Sequence, residues 1–133
     1  MGISQQQQEK AKKRFYEDID NVDENDLEYA SKKGRKKVDS LDEDPPGPLE
    51  KLWEDIKTMI HLIQDYRNGH YRAVPWKIIA AVAAAVVYFV SPIDFVPDFI
   101  PGLGYIDDAL VIKLALDMAG EDIASYREWK KAL

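Results

Sequence analysis

From Ile78 to Val90 the chain runs thirteen residues without a charge, and Tyr88 carries the only polar side chain. A helix that is apolar all round must be covered, either by the rest of a protein core or by lipid. The uncharged stretch continues to Ile93, sixteen residues in all. It would reach roughly 24 Å as a helix, against the ~30 Å of hydrocarbon and ~20 residues that a comfortable membrane span requires. Its flanks nevertheless have a membrane-like character: Arg67, His70, Arg72 and Lys77 precede it, with Tyr71 and Trp76 at the boundary. The pairs Ala80/Ala84 and Ala81/Ala85 would let helix backbones approach closely, in a bilayer or in a soluble bundle alike. Contact with lipid and burial in a core are therefore both open on this segment.

Other helices follow from periodicity. Leu49, Leu52, Trp53, Ile56, Ile60, Ile63 and Tyr66 recur at helical spacing, Pro48 suits a first helical position, and Asn68-Gly69 provides a stop. His61 falls just off this stripe, as expected of a boundary residue. Pro75 can open the uncharged helix. A third helix is predicted from about Tyr105–Asp108 through Met118, with Gly120 ending or kinking it before a short last helix over 121–131. No strand pattern is present. The expected fold is all-α, a small bundle of about four helices built on a central apolar hairpin.

Composition divides the chain at its proline-rich turn. Residues 1–47 are dense in charge, open with a four-Gln run and close on Asp42-Glu43-Asp44-Pro45-Pro46-Gly47, where no helix can continue. Such a segment is expected to be a largely flexible arm, with Phe15, Ile19, Val22 and Tyr29 marking at most a short amphipathic helix. Residues 48–133 are expected to carry the fold. Within the arm Lys32, Lys33, Arg35, Lys36 and Lys37 form a basic cluster, read either as a patch facing anionic lipid or as a solvated charge run.

The formal net charge of −6 argues against general nucleic-acid binding. With no cysteine and two histidines, disulfides, thiolate chemistry and an ordinary zinc site are not expected. The first ten residues hold no apolar signal region, so a cytoplasmic N-terminus is expected.

Between Ser91 and Asp108 the sequence reads S-P-I-D-F-V-P-D-F-I-P-G-L-G-Y-I-D-D. Four aspartates among prolines and large apolar residues demand partners, because a buried carboxylate is costly unless paired, protonated or hydrogen-bonded. Ser91, Pro92 and Asp94 match a capping box, and Asp107 or Asp108 suits the start of the following helix. Asp98 is left without a clear partner. Alternatively Asp94, Asp98, Asp107 and Asp108 converge to hold a divalent cation through oxygen ligands, or titrate with raised pKa. A protein-binding surface is the third reading. No nucleophile–base pair, no small-molecule substrate and no established cofactor can be read from the chain.

These residues resemble the signature of the YkvA-like proteins, a bacterial family with a domain of unknown function (number 1232), over roughly residues 76–118. The resemblance implies Ser91, Pro92, Asp94, Pro97, Asp98, Pro101, Gly104, Asp107 and Asp108 as family motif positions. It also implies membrane association and no established activity. A eukaryotic ubiquitin ligase carries a similar domain beside a zinc-binding RING, for which this chain has no cysteines. Two functions follow as expectations: a non-enzymatic, membrane-associated helical module with a cytoplasmic N-terminus, or a soluble cytoplasmic bundle whose aspartates bind a cation or do carboxylate chemistry.

Overall fold

The computed structural model describes residues 5–90 and 106–133. Its helices are α1 (Gln5–Asp20), α2 (Glu24–Leu41), α3 (Trp53–Arg67), α4 (Trp76–Val90) and α5 (Ile106–Lys131), with a short 3-10 helix over Gly47–Leu52 leading into α3. No strand occurs among the described residues. The boundaries have local causes. Asp23 caps α2: its Oδ1 accepts from the Asp26 amide at 3.0 Å, and the Asp23 amide donates to Asp26 Oδ2 at 3.0 Å, a reciprocal capping box. α3 stops where Gly69 takes φ +78°, so that the His70 amide reaches the Asp65 carbonyl at 2.9 Å. Pro75 opens α4, its carbonyl accepting from the Ile78 and Ile79 amides at 3.0 and 3.1 Å.

α4 is the axis of the bundle. Ile79 through Val86, Tyr88 and Phe89 are buried, and α1, α2, α3 and α5 all pack against it. The uncharged run is thus covered by protein. The basic and aromatic flank that looked membrane-like is also engaged within the chain. Tyr71 is buried, with its ring 5.2 Å from Tyr126 and 4.9 Å from Trp129. Arg72 lies over Tyr66 at 4.4 Å, and Arg67 pairs with Glu28 at 3.7 Å. At Gly34 α2 comes close to the axis. A Cβ there would meet Val86 Cγ1 at 2.8 Å and the Ile60 side chain at 3.2 Å, so the glycine lets α2, α3 and α4 converge.

The N-terminal segment corrects the expectation of a largely flexible arm. Ala11, Phe15 and Ile19 of α1 are buried, as are Leu27, Ala30, Ser31, Gly34 and Val38 of α2. Their three- and four-residue spacing gives each helix a narrow apolar seam. Fully burying a side chain such as Phe15, Ile19 or Leu27 contributes roughly 1.5–3 kcal/mol, and the surface they bury against is supplied by α4. Val22 is only partly buried and Tyr29 is exposed. A second correction concerns Gly120. Here α5 runs unbroken from Ile106 to Lys131, so the two expected C-terminal helices are one.

Polar ties lock neighbouring helices. The buried Tyr88 hydroxyl of α4 donates to the Asp18 carboxylate of α1, beside Arg14 at 3.9 Å. At the other end of the bundle the Tyr126 hydroxyl of α5 donates to Asp65 of α3, which also faces Lys130 and His70 at 3.6 Å each. Asp42, after α2, accepts from the Trp53 indole at 2.7 Å and from Lys57 at 3.3 Å. These bonds, the indole first, hold its carboxyl below the ordinary range. Arg127 reaches Asp55 at 2.6 Å, joining α5 to α3.

Three outcomes are expected. Gly120 is exposed within a helix, with nothing near a would-be Cβ; Gly120→Ala should raise unfolding free energy by about 0.5–1 kcal/mol in urea titration. Gly34→Val should lower it by about 1–3 kcal/mol through overpacking against Val86 and Ile60. Burial, then the bond to a carboxylate, raises the pKa of Tyr88 and Tyr126 above the ordinary 10.0. Their contribution is therefore complete below pH 10 and is lost above it, where the unfolded chain gives up the phenolic protons first. Stability should fall by about 1.4 kcal/mol per pH unit for each phenol in that window. Tyr88→Phe and Tyr126→Phe should each flatten that slope in alkaline denaturation curves.

Candidate functional site

In sequence the family-like motif lies between α4 and α5. Ser91, Pro92, Asp94, Pro97, Asp98, Pro101 and Gly104 lie outside the described residues. Positions 107 and 108 fall in the first turn of α5, where the positive end of the helix dipole favours a carboxylate. Among the described residues no group of three or more His, Asp or Glu side chains is placed to hold a metal.

What the structure does describe is the threshold of the motif. At the last turn of α4, Lys37 of α2 donates from Nζ to the Phe89 carbonyl at 2.6 Å and sits 4.9 Å over the Phe89 ring. The carbonyls at a helix C-terminus lack intrahelical partners and carry partial negative charge. A lysine there satisfies one of them and places a cation two residues before Ser91, where the motif begins in sequence. The periodicity of α2 gave Lys37 no distinction from its basic neighbours; only the tertiary crossing of α2 and α4 does.

The five basic residues expected as one patch are divided among three directions. Lys37 turns inward. Arg35 faces α3, where it lines a shallow cleft with Lys57, His61, Asp39 and Asp42. Lys32, Lys33 and Lys36 are exposed on the outer side of α2, beside Asn25 and Tyr29. Lys32 also pairs with Glu28 at 2.9 Å. That bond, with Arg67 adding to it, holds the Glu28 carboxyl below its ordinary pKa.

His61 is surface-exposed beside Thr58, Tyr126, Arg127 and Lys130. Partial burial of the ring, then the Lys130 charge, lowers its pKa, so the imidazole is neutral near pH 7. A cleft of about 220 Å³ opens where the α1–α2 turn meets α4, lined by Arg14, Asp18, Asn21, Val22 and Tyr88 among others. Asp18 and Tyr88 are already bonded to each other there. The sequence flagged Tyr88 as the one polar group in the uncharged run, since a buried phenol requires a partner. It did not name Asp18, seventy residues away.

No helix among the described residues is long and apolar enough to cross a membrane. Comparison with known proteins bears on the same segments. The family described as "Protein of unknown function (DUF1232)" matches residues 78–114, which run from α4 through the motif into α5. The uncharacterized membrane protein YkvA of Bacillus subtilis (strain 168) is 36% identical over 80 residues, covering 60% of this chain and 76% of that protein. No solved structure matches the chain. An identity of this level across three quarters of YkvA, on a chain that carries the family segment between its two central helices, establishes that the protein belongs to the YkvA-like family of unknown function (DUF1232).

Proposed function

We propose that the protein is a non-catalytic, membrane-associated helical module that attaches to the bilayer from the side, with its N-terminal helices in the cytoplasm. The observation that carries this reading is the relationship to YkvA, a protein described as a membrane protein, across most of the length of that relative. The mode of attachment follows from the packing. With α4 covered by four helices, the bundle offers its outer surface to lipid and keeps its apolar helix inside. Exposing α4 would sacrifice the burial of Phe15, Ile19, Leu27 and Val38 together with that of the axis itself. A closed bundle resting on the bilayer retains all of it.

Flotation of lysate from cells expressing the full chain tests the proposal. At low ionic strength the protein should rise with the membranes and come off in salt or urea without detergent. A chain left wholly in the dense, membrane-free fraction overturns membrane association. One that only detergent extracts overturns the peripheral mode.

A further inference from the structure

Resting on that reading, we propose that the outer face of α2 is the docking surface, and that its partner is the anionic headgroup layer of a bilayer. Asn25, Tyr29, Lys32, Lys33 and Lys36 fall at spacings of four, three, one and three residues, which align them along the side of α2 opposite its buried seam of Leu27, Ala30, Gly34 and Val38. All five are exposed. They run for about 16 Å along the helix, and the carboxylate among them is Glu28, which shares a shallow cleft with Asn25, Tyr29, Lys32 and Lys33 and bonds Lys32 at 2.9 Å. Glu28 also meets Arg67 of α3, and Asp39 shares a cleft with Lys57. Tyr29, 39% exposed, supplies the amphipathic ring that suits the boundary between water and acyl chains.

Charge complementarity selects the occupant. The chain carries −6 overall, so an anionic bilayer repels it in most orientations. Approach is favourable only through a face whose local charge is positive. α2 and α5 both pack against α4, and the exposed charges of α5 are of both signs: Asp117, Glu121 and Glu128 with Lys113, Arg127, Lys130 and Lys131. The outer side of α2 therefore concentrates positive charge in Lys32, Lys33 and Lys36, where α5 mixes both signs. Lys32 would exchange part of its interaction with Glu28 for headgroup phosphate, while Lys33 and Lys36 meet the surface directly. Lys37 takes no part, being bonded to the Phe89 carbonyl.

The test is partitioning of the full chain onto vesicles of phosphatidylcholine containing about one third phosphatidylglycerol, compared with pure phosphatidylcholine. Each lysine close to an anionic surface contributes about fivefold in partitioning. The triple substitution Lys32→Gln, Lys33→Gln, Lys36→Gln should thus weaken binding to the anionic vesicles on the order of 100-fold, with an unchanged melting temperature because all three side chains are exposed. Lys113→Gln with Lys131→Gln, on α5, should leave binding as in the parent, and added salt should abolish it. Equal binding to both vesicle types, or a triple variant that binds like the parent, overturns the inference. If the chain still floats with native membranes, that failure falls on the α2 face alone; if it does not, membrane association falls with it.

Discussion

Everything in this bundle depends on the need to cover α4. Its burial extends round the whole helix, from Ile79 to Phe89, so no single partner can satisfy it. Four helices share the task, and two of them come from a segment whose own composition is too polar to fold alone. The dependence runs both ways. α1 and α2 are ordered because α4 offers apolar surface, and α4 stays out of solvent because they occupy it. Small residues make the arrangement dense: the alanines of α4 and Gly34 of α2 allow backbones to approach where larger side chains would hold them apart.

The polar ties refine this packing. Tyr88 and Tyr126 each bring a hydroxyl into a buried setting and each finds an aspartate on a neighbouring helix. These bonds add less to stability than they do to uniqueness, since a phenol left unpaired would penalise any alternative registration of α1 or α5. The charged groups outside serve differently. Those on α3 and the end of α5 are spent largely on one another, as Asp55 is on Arg127 and Asp42 on Lys57. The outer side of α2 keeps its lysines turned to solvent.

Much of this was legible in the sequence. Periodicity from Trp53 to Tyr66, the Asn68-Gly69 stop, the opening at Pro75 and the all-helical class follow from local chemistry that the structure retains, while Leu49 and Leu52, expected in the same helix, fall in the 3-10 helix before it. The N-terminal segment was misread because composition averages over all faces of a helix. Its apolar residues are few, yet Phe15 and Ile19, or Leu27, Ala30, Gly34 and Val38, fall on one line and meet a surface supplied by residues fifty or more positions away. Gly120 was read as a break because glycine weakens an isolated helix; tertiary contacts on both sides of it, at Ala119 and Ile123, hold α5 straight through. The inward turn of Lys37 had no local signal at all. The aspartates at 94 and 98 fall outside the described residues.

The order of the helices along the chain has a consequence for biogenesis. α1, α2 and α3 precede α4 in sequence and α5 follows it, so a ribosome delivers three of the four covering helices before the helix they cover. Translation at roughly 5–20 residues per second separates the end of α2 from the end of α4 by several seconds. Hydrophobic collapse is complete in far less than a millisecond. When the uncharged helix emerges, the segments of α1, α2 and α3 are already synthesised and tethered to it, and α5 follows. Vectorial synthesis thus offers the most lipid-like segment of the chain protein surface to pack on as soon as it emerges.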